Sequence, residues 1–475
     1  MGCFSIKCGL LAGSVFGAVI AILGGILIPV GDMIIERTVK KEAVIEPGTT
    51  AYDNWAASEI AIYRQFWFFD VKNPQQVVQE GAFPEVQEKG PYTYKTRYLP
   101  KANVTFNPNN TASFVLPIGA IFEPSMSVGQ EEDTVTSLNL AVAGAYSLLP
   151  PASHILLDMV INSTNSSLFQ HRTVKELLWG YHDPILKDTI GLFSPYNGTI
   201  DGPYNVFTGK DDISKVSVID RWRGETKLSF WNDTYCDMIN GTDGSSFAPF
   251  MDKDVPIYFF SSDICRSVSA NYEATMNLKG IEVYRYSLLP STLASPVENP
   301  DNKCFCRNYE TTKNCTLAGA LDISSCSDGR PIVISLPHFL HGSEYLREVV
   351  LGLHPDEEHH KTFLDVEPIT GFTLNFAKRI QINMMYGPAK HITLFAHFFF
   401  NKSFFHILCP LCNQTATLDD KTADMFKREL LSRLDMLEIV QQVLLIAGVI
   451  IFLVCLIAFF CVRRKSKENS ISATL

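Results

Sequence analysis

Two long apolar runs bound this chain, Gly9 to Val30 near one end and Ile439 to Val462 near the other, and neither contains a charged residue. Each exceeds the roughly 20 residues that a helix needs to cross a bilayer. The segment between them reads as ordinary globular sequence. The expected organisation is a short tail (1–8), a first span (9–30), one large domain (31–438), a second span (439–462) and a second short tail (463–475).

Charge alone leaves the orientation open. Arg463, Arg464, Lys465 and Lys467 make the C-terminal tail basic, which places it in the cytosol. Lys7 precedes the first span, but Arg37, Lys40 and Lys41 follow it. N-glycosylation triplets break the tie. They begin at Asn103, Asn109, Asn162, Asn165, Asn197, Asn232, Asn240, Asn314, Asn401 and Asn413, all inside the large domain. Cys236, Cys265, Cys304, Cys306, Cys315 and Cys326 cluster between 236 and 326, as a disulfide framework in an oxidising compartment does. Six cysteines allow about fifteen pairings, and spacing does not choose among them. The domain is therefore expected outside the cytosol, with both termini cytoplasmic. The first run is too long for a signal-peptide core, and Ile28-Pro29-Val30-Gly31 lacks a small-x-small cleavage pattern, so it reads as an uncleaved anchor.

Gly9, Gly13, Gly17, Ala21 and Gly25 recur every four residues and would form a smooth stripe for close helix packing. Cys3, Cys8 and Cys461 lie at the cytosolic membrane face and are candidates for S-palmitoylation. Cys455 sits mid-span and reads as packing. Ile6 stands where a myristoylation signal carries Ser or Thr.

The large domain is mixed. From Phe372 to Met384, alternate positions are mostly apolar, which predicts a long half-buried strand. Gly387 and Pro388 then turn the chain, and Ile392, Leu394, Ala396 and Phe398 continue the alternation, predicting a hairpin. Arg330 to Phe339 is a further strand candidate. Thr173 and Glu176 form a capping box ahead of a helix ended by Pro184. His154 to Phe169 reads as helical, and Asp424 to Glu438 as an amphipathic helix entering the second span.

Catalytic patterns are missing. No Gly-x-Ser-x-Gly elbow, Walker loop or dinucleotide-binding glycine pattern occurs. Gly244-Ser245-Ser246-Phe247-Ala248 lacks the second glycine. His354, His359 and His360 lie near Asp356, Glu357 and Glu358 at spacings that fit no zinc motif and read as a solvated acidic loop. Cys409-Pro410-Leu411-Cys412 reads as structural rather than redox-active. No enzyme, cofactor or metal is expected, and a formal net charge of −10 excludes a nucleic-acid partner.

Specific motifs then point to a family. Phe69-Asp70-Val71-Lys72-Asn73-Pro74, Gly90-Pro91-Tyr92-Thr93-Tyr94, Gly119-Ala120-Ile121-Phe122-Glu123-Pro124 and Glu176-Leu177-Leu178-Trp179-Gly180-Tyr181 resemble the class B scavenger receptor family. So do Cys236-Asp237-Met238-Ile239-Asn240-Gly241-Thr242, Asn299-Pro300-Asp301-Asn302-Lys303-Cys304-Phe305-Cys306 and Glu367-Pro368-Ile369-Thr370-Gly371-Phe372. The resemblance covers nearly the whole chain. The Met1-Gly2-Cys3 start and short tail resemble the fatty-acid-translocating branch of the family.

The resemblance implies an α+β fold: an antiparallel β-barrel-like core with short helices, an apical helical bundle at 148–186 and a lipid tunnel. It implies disulfides Cys236–Cys304, Cys265–Cys326 and Cys306–Cys315. It implies a plasma-membrane receptor, also found in the Golgi and lipid rafts. Its ligands would be long-chain fatty acids, oxidised or native lipoproteins and membrane lipids, and it would work with signalling co-receptors. The alternative is an adhesion or pattern-recognition co-receptor whose lipid cavity is structural.

This chain departs from its relatives at the apex. Where they carry lysines for anionic ligands, it has Asn162-Ser163-Thr164-Asn165-Ser166-Ser167. His171, Arg172, Lys175 and Lys187 remain as candidate ligand-binding cations. Lys95 to Ile121 contains no Asp or Glu, which argues against thrombospondin-type partners. Phe460 stands where relatives carry a tyrosine. Burying about 16 methylenes is worth ~13 kcal/mol at roughly 0.8 each. A charge-assisted hydrogen bond to a carboxylate adds only about 1.5–3 kcal/mol. Fatty acid binding is thus expected to survive the loss of the lysines.

Overall fold

The computed structural model describes residues 6–56, 62–96, 99–194, 198–307, 315–386, 405–417, 419–428 and 432–472. Two compact units emerge: Met1–Glu42 with Lys279–Ile281 and Asp419–Leu475, and Ala43–Leu278 with Glu282–Leu418.

The first unit is built on two helices, Ile6–Glu42 and Ser432–Ser472. Both contain windows apolar and long enough to cross a membrane. A 37-residue helix extends about 55 Å at 1.5 Å per residue, well beyond a hydrocarbon core of about 30 Å. The two helices pack on each other where side chains are smallest. A Cβ on Gly17 would stand 2.4 Å from the backbone nitrogen of Phe452, and one on Gly448 would stand 2.3 Å from that of Ala21. The close approaches run through Gly13, Gly17, Gly24 and Gly31. Gly9 meets nothing within 4 Å and Gly25 only a leucine methyl at 4.0 Å. The strict four-residue stripe therefore holds for its middle and drifts at its ends, because 3.6 residues per turn carries every fourth residue off one line.

The second unit is α+β. Its main sheet has eleven strands. In order, the path is Ile257–Ser261, Arg266–Leu278, Ile281–Leu288, Phe363–Val366, Thr373–Tyr386, Phe405–Thr417, Ile62–Val71, Val86–Thr96 and Ala120–Phe122. Ile332–Ser335 branches onto Thr373–Tyr386 and carries Leu321–Asp322. The ladders are antiparallel. The two ends of the path are not paired with each other among the described residues. A four-stranded sheet (Ile219–Trp222, Ile200–Phe207, Thr111–Pro117, Ala102–Asn107) and two two-stranded sheets, Thr134–Leu138 with Phe169–Thr173 and Tyr181–His182 with Thr189–Ile190, complete the strands of the unit.

The long strand predicted from alternation is Thr373–Tyr386. It is more than half-buried. Leu374, Ile382 and Met384 are buried on one face, but Ala377, Gln381 and Asn383 are buried on the other. The buried amides are satisfied by each other and by a neighbouring strand: Gln381 Nε2 donates to Asn383 Oδ1 at 2.7 Å, and Asn383 Nδ2 to Val333 O at 3.1 Å. Its hairpin-side partner is Phe405–Thr417; the predicted turn and return strand at 387–398 lie outside the described residues. The Arg330–Phe339 candidate shortens to Ile332–Ser335, because Pro337 follows.

Disulfides join Cys236 to Cys304, Cys265 to Cys326 and Cys306 to Cys315. They surround Trp231, which is fully buried, meets Phe305 edge-on at 5.0 Å and donates its indole N–H to Cys265 O at 2.8 Å.

Candidate ligand-binding face

Residues 148–186 form a module of short pieces. The helix Leu140–Leu148 is capped by Asn139, whose side chain accepts from the backbone of Ala141 and Val142. Pro150 and Pro151 break the chain before the helix His154–Ser163. That helix ends earlier than its sequence suggests, since Thr164 hydroxyl and backbone fold back on Val160 O and Asn165 turns left-handed at φ 50°. The rest of the predicted helix, 164–168, is turn and loop, and Phe169 opens the strand Phe169–Thr173, which pairs with Thr134–Leu138. The capping box is present, with Thr173 and Glu176 bonded reciprocally, and opens the helix Val174–Trp179. Gly180, not Pro184, ends it, at φ 120°.

An aromatic cluster seats this module on the main sheet. Trp179 meets Tyr94 at 5.0 Å and Phe66 at 6.3 Å, and Phe193 meets Phe66 at 5.3 Å, in tilted or edge geometries that favour the ring quadrupoles. Burial pushes the Tyr94 phenol well above its usual range and Tyr181 up to about 12, so both stay neutral.

The helix His154–Ser163 is apolar on two faces. Leu157 and Ile161 are buried, whereas Ile155, Leu156 and Met159 are 53%, 65% and 61% exposed. Leu148 and Leu149 just before it are exposed as well. A surface helix ordinarily turns polar residues outward, so a solvent-facing apolar stripe marks an interaction surface.

The four candidate cations do not converge on one anion site. His171 is exposed and bonds Thr136 through Nδ1 at 3.1 Å. Arg172 lies 4.2 Å over the Tyr181 ring and pairs with Glu176 at 3.4 Å. Lys175 pairs with Glu131 at 3.2 Å. Lys187 is exposed in a left-handed turn at φ 54°. The apolar stripe, rather than the cations, is the feature that helical periodicity from Ile155 to Met159 could have singled out.

Of the sequons, Asn103, Asn109, Asn162, Asn165 and Asn232 are exposed and Asn240 is half-buried. Asn197, Asn314 and Asn401 lie outside the described residues, and Asn413 falls in the strand Phe405–Thr417. Cys409 and Cys412 fall in that strand too. Cys8 and Cys461 are exposed on their helices; Cys3 lies outside the described residues.

No reactive constellation assembles among the described residues. Ser245 bonds Asp243 and Ser246 bonds Ser217, with no histidine at either hydroxyl. The one cluster with metal-ligand spacing, Asp233 with Cys236 and Cys304, has its sulfurs tied in a disulfide.

The family model described as the CD36 family matches residues 15–459. Scavenger receptor class B member 1 of Cricetulus griseus is 32% identical over 458 residues, covering 93% of this chain and 87% of that one. Its counterpart in Bos taurus is 31% identical over 470 residues, covering 95% and 89%. Lysosome membrane protein 2 of Mus musculus is 37% identical over 362 residues, covering 74% of each.

Proposed function

The chain belongs to the CD36 family, the class B scavenger receptors, and from that premise we propose that it is a receptor that captures lipid and passes it to the bilayer without breaking or making a bond. Its substrates are long-chain fatty acids and modified lipoproteins. Capture occurs at the apical helix His154–Ser163, and transfer follows a tunnel through the ectodomain. The receptor sits in the plasma membrane with both tails cytoplasmic, sugars on its exposed sequons and palmitate on Cys3, Cys8 and Cys461.

The observation that carries this reading is the outward stripe of Ile155, Leu156 and Met159. With 53–65% of each still exposed, covering these three side chains fully with acyl chain would be worth about 1–2 kcal/mol each. With Arg172 and Lys175 held by acids, hydrophobic contact rather than ion pairing drives capture. The same pairs give the adhesion or co-receptor reading its support, since a face with its cations occupied suits a protein partner as well as a lipid.

Photo-crosslinking of a diazirine-tagged long-chain fatty acid to the full-length protein in nanodiscs tests the proposal. Saturable labelling near Leu148–Leu186 that unlabelled fatty acid displaces, and that Leu156→Asp with Met159→Asp reduces at least tenfold, is the expected result. Labelling that competitor does not displace would move the assignment to the co-receptor role.

A further inference from the structure

The turn after the strand Ile332–Ser335 holds three non-glycine residues in the left-handed region: His338 at φ 52°, Phe339 at 53° and His341 at 59°. Such backbone persists only where surrounding contacts over-determine it. Here the contacts converge on a buried imidazole, since His338 is 3% exposed. Its backbone N–H donates to Gln381 Oε1 at 2.7 Å. The backbone N–H of His354 donates to His338 Nδ1 at 3.1 Å, which makes that nitrogen the acceptor. The ring proton is therefore on Nε2, which donates to the Glu88 carboxylate at 2.8 Å.

A second imidazole completes the arrangement. His360 lies on His338 with ring centres 4.5 Å apart and planes 18° from parallel. Its Nδ1 accepts the backbone N–H of Asp356 at 2.9 Å. Phe69 meets His338 edge-on at 5.3 Å. Both histidines thus spend the Nδ1 lone pair on a backbone donor. A second proton on His360 takes that lone pair, expels the Asp356 N–H and sets positive charge 4.5 Å from the His338 ring.

We propose that His338 and His360 form an acid-sensitive latch: while His360 is neutral, the stacked pair clamps residues 353–361 to the turn 336–343 and to Glu88, and a proton on His360 releases them.

The surrounding charges are mixed. Glu88 and Asp356 favour a charged His360, while His338 and His359 oppose it. His359 and His341 are engaged by Asp356 and Glu357. Glu358 contributes its carbonyl to Arg379, and Lys361 is drawn to Glu273. Burial outweighs them all and holds the His360 imidazole down at about 4. A base depressed in the closed form is protonated first in the open form, near the free value of about 6.5. The closed form is thus fully favoured above pH 6.5 and loses ground as pH falls toward 4. Between pH 7.4 and 5.0 the opening equilibrium would rise about 30-fold for an unscreened group, and on the order of tenfold for a partly exposed one.

Hydrogen exchange with mass spectrometry on the full-length protein in nanodiscs, corrected for intrinsic exchange, tests this. Peptides from 336–343 and 353–361 should exchange about tenfold faster at pH 5.0 than at pH 7.4, with a peptide from Ile200–Phe207 unchanged. His360→Phe keeps a stacking ring that takes no proton and should abolish the difference, whereas His341→Gln should retain it. Equal corrected exchange at both pH values in the unmodified protein overturns the latch, as does a pH response that survives in H360F. If H360F does not fold, H360N decides: its amide oxygen can accept the Asp356 N–H that His360 Nδ1 accepts but gains no proton, so a pH response that survives in it overturns the latch.

Discussion

On the helix His154–Ser163, neighbouring apolar residues do opposite work. Ile161 is fully buried, so Ile161→Ala removes packed methylenes and should destabilise the large α+β unit by about 2–4 kcal/mol, read as a fall in Tm. Leu156, 65% exposed, should cost less than about 0.5 kcal/mol when cut to alanine, yet should weaken lipid capture. Equal losses of Tm in the two variants would mean that the outer stripe is packed in solution and unavailable to ligand. Individual charges divide in the same way. Asp365 is 1% exposed and holds Arg285 through two bonds, at 2.7 and 2.8 Å. Asp365→Ala should cost about 3–5 kcal/mol by stranding that guanidinium. Exposed Lys175 and half-buried Glu131 should be separable for about 1 kcal/mol.

At the scale of elements, the two membrane helices offer a direct test of their packing. A Cβ on Gly13 would stand 2.8 Å from Cys455 Sγ, so Gly13→Cys should oxidise onto Cys455 within one chain. A fast-migrating monomer on non-reducing gels is the expected readout; a cross-linked dimer would show that the glycines pack between copies instead. Gln441 adds a polar contact here, its Nε2 donating to Leu27 O at 2.9 Å. Elements with strong local signals were legible from residues alone: both apolar helices, the Thr173–Glu176 capping box and the alternating strand to Tyr386. What stayed hidden was set by tertiary contact. Alternation at 372–384 implied one wet face, but Gln381 and Asn383 are covered by Ile332–Ser335 and the turn beyond it, partners 43 or more residues away. The stretch 164–169 continued a helical pattern, yet pairing with Thr134–Leu138 made 169–173 extended. His354, His359 and His360 read as a solvated acidic loop. That description fits Asp356, Glu357 and His359, and misses that His338 and half-buried His360 stack. No local pattern announces a contact between residues separated by a whole turn and helix.

Across the whole molecule, the formal charge of −10 and the local ion pairs predict how capture responds to salt. If the apical cations formed an open anion site, association with anionic lipid particles would slow as ionic strength rises and screening sets in. Arg172 and Lys175 are instead neutralised by Glu176 and Glu131, on a chain whose overall field repels anions. Association of the full-length receptor with anionic vesicles should therefore accelerate as salt rises from about 20 to 150 mM, where the Debye length shrinks to about 8 Å. Uncharged emulsion particles should show little change. Glu131→Gln provides the internal control. It releases Lys175, and should raise the low-salt rate for anionic vesicles while leaving uncharged particles unaffected. A rate that falls with salt in the unmodified receptor would mean that cations outside these pairs steer the ligand, and the hydrophobic stripe would then serve retention rather than encounter.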